Sequence, residues 1–300
     1  RPGVHDKKAR GIAPAHAAVE DPMPWKDILV HLDDGHSEET RLKLAIDIAR
    51  RNKAHLIGLY GIAPPVMQIA PGLGGAGELE QVQLSAALGE KAHETAAAAE
   101  ARFTQSLRAA GLSGEWRLIE GAVAELATRH ARYADLAILG QADPDAGDNL
   151  PGMPEKILTG TGRPVLLVPY VGAFSTLGQN VLIAWNGTRE AARALGDALP
   201  LLEQAKTVRV LSIDLPEGEE PFVSAHLADH LARHGVKAEI EALPGGEISV
   251  ADALLSRAAD FDADLIVMGG YGHSPTREML LGGVTRSLLQ HMTVPVLMSH

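Results

Sequence analysis

The residues best suited to chemistry are glycines. In the run VMGGYGHSPTREMLLGGVTRSLL, Gly269 and Gly272 are followed after nine residues by Gly282 and Gly283. Glycine has no Cβ, so the backbone can close on an anion and offer N–H groups without side chains in the way. The first pair follows a strand-like apolar run, Leu265 to Met268, and the second lies close to a helical one. In an open α/β sheet, ligands gather outside the carboxyl ends of the strands, and a helix N-terminus adds partial positive charge there. Thr285 supplies a hydroxyl, and His273, Arg277 and Arg286 are nearby groups able to face an anion. The chemistry this predicts is phosphate binding. The spacing alone leaves a second reading open, because Gly-Gly after a strand also serves as punctuation or permits close packing.

Other constellations carry less. After Gly140 the chain reads QADPDAGDNLPGMPEK, with no Gly-x-x-Gly. Asp143, Asp145 and Asp148 stand where phosphates would go, and carboxylates repel a polyphosphate, so this half is expected to be nucleotide-free. His31, Asp33, Asp34 and His36 offer metal-capable atoms. A polar strand end is the simpler account, and no metal site is assigned. The three aspartates lack the later bidentate Glu of a calcium loop. Asp214, Glu217, Glu219 and Glu220 read as a solvated loop. There is no nucleophile elbow and no Gly-Lys-Ser/Thr after the glycines. No catalytic residue is assigned, and no base is named for slow ATP turnover: His273 is the nearest candidate, and an ordinary surface histidine is the simpler reading of it.

The elements that must position these residues occur twice. Short Val/Ile/Leu runs at 27–32, 55–60, 115–119, 136–139 and 165–168 alternate with helical stretches at about 37–52, 80–110, 122–133 and 153–158. The second half repeats the order, with strands at 181–184, 208–213, 238–242, 265–268 and 294–298 and helices at about 188–204, 221–234, 249–260 and 276–291. Strands alternating with helices predict a parallel sheet covered on both faces, and the near-continuous apolar character of the strands agrees. YADLAILGQ echoes DADLIVMGG, and GRPVLLVPY echoes TVPVLMSH. The expected fold class is α/β: two tandem, doubly wound, five-stranded parallel-sheet domains with flavodoxin- or Rossmann-like layering. The expected division is a tail or leader at 1–24, a degenerate domain at 25–169, a linker at 170–179 and a second domain with its glycine loop at 180–300. The first half carries a Gly/Pro/Ala-rich insertion at 63–77, where the second has only 214–220. Met23 reads as a possible natural start, with a disordered tail as the alternative. Ser37, followed by Glu38 and Glu39, predicts a capped helix start; Thr188 with Glu190 is a weaker version.

Composition narrows the classes. The net charge of −11 disfavours nucleic acid and anionic lipid as partners. The absence of cysteine removes disulfides, thiolate catalysis and Cys-type metal sites, and fits a reducing, cytoplasmic compartment. No apolar run approaches the ~18 residues of a membrane span.

With the strand–loop–helix order around it, the Gly-x-x-Gly, nine residues, Gly, then Val-Thr, together with a Val-Pro-Val-Leu final strand, resembles the universal stress protein family, over about Met23 to His300. The resemblance implies a five-stranded parallel sheet in each half, with the two domains packing like a dimer through their last strands. It also implies an adenine nucleotide, ATP or AMP, with or without Mg2+, in the second half. Carried over residue by residue, Gly269, Gly272, Gly282 and Gly283 would line the phosphates, with Val284 and Thr285 completing that wall. Ala184 and Asn186 would sit by adenine and ribose, Ser212 would flank the base, and Met268 would pack under the ligand. Two residues depart from the pattern. Gly283 replaces a Ser or Thr, which removes a hydroxyl bond worth ~1.5–3 kcal/mol, about one to two decades in affinity. Asn186 replaces the usual Asp. The resulting expectation is a regulator of stress responses that binds nucleotide in its second domain. The alternative is an interaction scaffold without nucleotide, and a weak hydrolase is a distant third. Protein partners are not specified by the sequence, and a homodimer of tandems is as admissible as a monomer.

Overall fold

A computed structural model describes residues 25–64, 76–143, 152–215, 220–271 and 283–300. The first half runs β1 (Asp27–Leu32), α1 (Glu38–Asn52), β2 (His55–Ile62), α2 (Ala76–Ala110), β3 (Gly114–Glu120), α3 (Val123–Ala131), β4 (Leu136–Gly140), α4 (Met153–Thr161), β5 (Val165–Val168). The second runs β6 (Asn180–Ala184), α5 (Arg189–Leu202), β7 (Thr207–Ile213), α6 (Glu220–Arg233), β8 (Ala238–Leu243), α7 (Val250–Asp260), β9 (Leu265–Gly269), α8 (Gly283–His291), β10 (Val296–Ser299).

The strand order is β3-β2-β1-β4-β5-β10-β9-β6-β7-β8. It is a parallel five-stranded order and its mirror image, joined where β5 and β10 pair antiparallel, Leu166 opposite Leu297. The two halves thus share one ten-stranded sheet. Along each strand the side chains alternate between two cores. Ile28, Val30 and Leu32 of β1 join the core beneath α1, α2, α5 and α6, while Leu29 joins the core beneath α3, α4, α7 and α8. This is the doubly wound α/β architecture expected from the strand–helix alternation, present twice.

The duplication extends to single hydrogen bonds. Asp135 Oδ2 accepts from the backbone N–H groups of Lys26 and Asp27 at the start of β1. Asp264 does the same for Gln179 and Asn180 at the start of β6. Other details differ from expectation. The last strand begins at Val296 rather than 294, because Pro295 has no N–H for the ladder, although its carbonyl still accepts from Ile266 N. The capping prediction is inverted. Ser37 has helical φ and ψ and makes no cap bond; its hydroxyl instead accepts from Arg41 Nη1. Thr188 is extended and accepts from Ala191 N, and so caps α5. The predicted helix over 276–291 is described only from Gly283 onward.

Candidate functional site

In the second half, β9, β6 and β7 lie side by side, and their carboxyl ends bring several of the predicted residues together. Ala184 pairs with Met268 on one side and Leu211 on the other. Gly269 lies against the start of α5: a Cβ there would come within 2.6 Å of Ala191 N and 2.8 Å of Glu190 Cβ. Only glycine allows this approach of strand to helix. Past Gly269, Tyr271 takes a left-handed φ of 53°, a conformation that costs a non-glycine residue of the order of 1 kcal/mol and concentrates at functional sites. Its N–H donates to Thr285 Oγ1 at 3.2 Å. This bond ties the end of β9 to the first turn of α8. It leaves the Thr285 hydroxyl proton available to an acceptor.

Gly283 opens α8 and is exposed; Val284 is half-buried and Thr285 buried. Gly272 and Gly282, and with them His273 and Arg277, lie outside the described residues. Asn186 is exposed, and its Oδ1 accepts from both N and Oγ1 of Thr188. Asp33 makes the corresponding turn in the first half, accepting from Gly35 N. The predicted residues do not share one face of the sheet. Met268 and Ala184 pack toward the α7/α8 side, whereas Ser212 alternates with Leu211 and faces the α5/α6 side, as does Trp185. Ser212 and Trp185 are neighbours, because Trp185 N donates to Leu211 O. Ser212 Oγ and Trp185 Nε1 are both buried without a hydrogen-bond partner. An unpaired buried polar atom costs ~1–3 kcal/mol, so two side by side make a place where a polar ligand edge would be stabilising.

The first half has a different floor at the same place, under a cavity of about 630 Å3 at the ends of β1, β2 and β4. Arg41 of α1 is 1% exposed. Its Nε donates to His31 O at 2.7 Å, Nη1 to Ser37 Oγ at 3.3 Å, and Nη2 lies 2.7 Å from Asp33 Oδ2. A Cβ on Gly140 would collide with this guanidinium. Arg41 therefore fills the space beside the strand end that the start of α5 fills beside Gly269. Burial pushes the His31 imidazole down to about 4, against the pull of Asp33 and with the push of Arg41, so the ring is neutral near pH 7. Burial alone would raise Asp33, but Arg41, His31 and the Gly35 N–H outweigh it and hold its carboxyl below the usual range. Tyr60 Oη donates to Asp34 Oδ1 at 2.8 Å, and burial with that bond pushes its phenol well up. Among the described residues no three His, Asp or Glu side chains converge as a metal ion requires.

The sequence reading missed Arg41, the cavity and Gln141. Arg41 heads the apolar stripe Arg41–Ala45–Ile48 of α1, and a charge in a buried stripe was the available signal. Gln141 stands just after β4, where Gly270 stands after β9. Its amide N donates to Leu289 O and Gln290 O, and its Oε1 accepts from Tyr170 N. It thereby links the first half to the end of α8.

The model of the universal stress protein family matches residues 24–169 and again 178–300. Universal stress protein Slr1230 of Synechocystis is 28% identical over 154 residues, covering 48% of this chain and 49% of that protein. The match thus spans about half the length of that relative. The crystal structure of a universal stress protein from Archaeoglobus fulgidus superposes with a TM-score of 0.70 at 17% identity, over 91% of this chain and 97% of that one. A functionally unknown Pseudomonas aeruginosa protein, PA1789, does so at 0.58 and 19%, over 92% of each. These structural likenesses carry the fold.

Proposed function

Because the chain belongs to the universal stress protein family, matched in both halves, we propose that it is a cytoplasmic stress-response regulator whose second domain binds an adenine nucleotide, ATP or AMP. The observation that carries this reading is the Tyr271 N–Thr285 Oγ1 bond. It holds both ends of the glycine loop together at the start of α8, where backbone N–H groups and the helix dipole favour an anion. The donor set fits the ligand. Gly283 leaves its backbone open at the start of α8, Gly269 lets β9 close on the start of α5, Thr285 keeps a proton to donate, and the unpaired Ser212 Oγ and Trp185 Nε1 suit the edge of a base. Ala184, Asn186 and Met268 are the remaining contacts in this reading, with Gly272, Gly282 and Val284 completing the loop. Mg2+ would be brought with ATP rather than held by the protein. Among the described residues no helix is long and apolar enough to cross a membrane. Nucleotide binding at the loop would select the protein partners that dock.

A scaffold without nucleotide is favoured by one observation, that Asn186 Oδ1 is already engaged by Thr188. Isothermal titration with ATP, ADP and AMP, with and without Mg2+, separates the two. One site per chain, abolished by Gly272→Trp, is the expected result. The absence of heat at millimolar nucleotide, with none carried through purification, would leave the scaffold reading.

A further inference from the structure

The cavity of the first half has the size of a small-molecule site, ~300–1,000 Å3, and its lining is unlike that of the glycine loop. Among the described lining residues its one guanidinium is Arg41, which is buried and already committed: Nε donates to His31 O and Nη1 to Ser37 Oγ, while Nη2 is ion-paired with Asp33. Three carboxylates, Asp33, Asp34 and Asp143, line the cavity against it. The imidazole of His31 adds no charge near pH 7. Asp34 is exposed, and Tyr60 engages only its Oδ1. The walls are apolar: Ile62, Ala63 and Pro64 from the end of β2 and beyond, Leu88 and Ala92 from α2, Met153 from α4. Leu88 remains 48% exposed, a large apolar side chain left facing open space at the cavity wall.

Among the described lining residues, an anion entering this space would meet more carboxylates than guanidinium groups, no lysine, and no Gly-x-x-Gly. A wholly apolar molecule would strip water from Asp33 and Asp34 without replacing its hydrogen bonds, which is costly. An ammonium group on an apolar body satisfies both parts, donating to carboxylate acceptors while its body covers Leu88 and Ala92.

We propose that the first domain binds an organic cation, an alkyl- or arylalkyl-ammonium compound without phosphate, with its ammonium at Asp34 Oδ2, beside the Arg41-paired Asp33, and its apolar body against α2. The chain would then sense two ligands of opposite charge, one in each half. This site stands independently of nucleotide binding in the second half, since it shares no lining residue with the glycine loop.

Tryptamine serves as the probe, with the neutral alcohol tryptophol and the anion indole-3-propionate as matched bodies. The assay is isothermal titration of the full chain at low salt, followed by amide chemical-shift mapping. One tryptamine site per chain is expected, at least tenfold tighter than tryptophol, with indole-3-propionate silent. Shifts should fall at Leu32–Ser37 and along α2 near Leu88. Asp34→Asn keeps an acceptor for Tyr60 and should weaken tryptamine about tenfold; Leu88→Lys should do the same, and Leu88→Glu should tighten it. Both positions are exposed, so folding is not at stake. Equal binding of the three bodies, shifts confined to the second half, or affinities unchanged by these variants would overturn the proposal. So would the absence of tryptamine binding at millimolar concentration, or ATP binding that Leu88→Lys strengthens. The Gly272→Trp variant should leave tryptamine binding intact, which separates failure here from failure of the nucleotide reading.

Discussion

Acidification should loosen the first half, and His31 should be the cause. The folded imidazole titrates at about 4 because burial disfavours its charged form, whereas an unfolded histidine titrates near 6.5. Between those values the unfolded chain binds more protons, so stability falls as pH falls. The loss begins as pH drops through about 6.5 and is complete once it passes the folded value. A gap of about 2.5 units corresponds to roughly 3 kcal/mol in full, and to about 2.5 kcal/mol between pH 7.5 and 4.5. The lowered carboxyl of Asp33 adds its own loss only at still lower pH, below the ordinary carboxylate range. Glu38, whose carboxyl burial raises, acts in the opposite sense and is common to both proteins compared. The comparison is wild type against His31→Leu, which keeps an apolar side chain where α3 and α4 cover the sheet. A Trp185→Phe background leaves Trp25 and Trp116, both in the first half, as fluorescence reporters. Urea unfolding at pH 7.5, 6.5, 5.5 and 4.5 should show the wild type losing about 2.5 kcal/mol relative to His31→Leu. Parallel curves for the two proteins would refute the argument, because His31 would then be solvated or already charged in the native state.

Two further expectations concern the join between the halves. Gln141→Ala removes three hydrogen bonds at once and strands Tyr170 N, a backbone donor, so a cost of ~1–3 kcal/mol is expected in thermal or urea unfolding; a change below ~0.5 kcal/mol would mean that water replaces the amide. Gly270→Val would place a Cβ 2.8 Å from Leu158 Cδ2 across the join, and overpacking of this kind costs ~1–3 kcal/mol. Unchanged stability would show that Leu158 simply swings aside.

What the sequence made legible follows from local physics. Alternating apolar runs and helical stretches place ten strands, and the echo of Asp135 in Asp264 marks the repeat because each carboxylate performs the same local task. The glycine spacing also announces itself locally, since an absent Cβ matters wherever backbone must approach. Arg41 was not legible in the same way. An arginine on a helix is ordinarily exposed, and only the meeting of α1 with the end of β1 supplies the His31 carbonyl and Asp33 carboxylate that make its burial tolerable. The failure of Ser37 as a cap has the same root, because its hydroxyl is drawn to that guanidinium. Gln141 reaches residues almost 150 positions away, beyond any periodicity.

The contrast between Gly140 and Gly269 shows how a duplicated domain can change the lining of a strand end without changing fold. Both glycines end a central strand, and each leaves room for one neighbour. At Gly269 the neighbour is the backbone at the start of α5, so no side chain stands between strand end and helix start. At Gly140 the neighbour is a side chain, Arg41, which requires Asp33 as its counter-ion. Arg41 is buried while Asp33 is partly open to water; losing Asp33 would leave a buried guanidinium without its counter-ion, so while Arg41 is present, the cavity floor keeps its carboxylate.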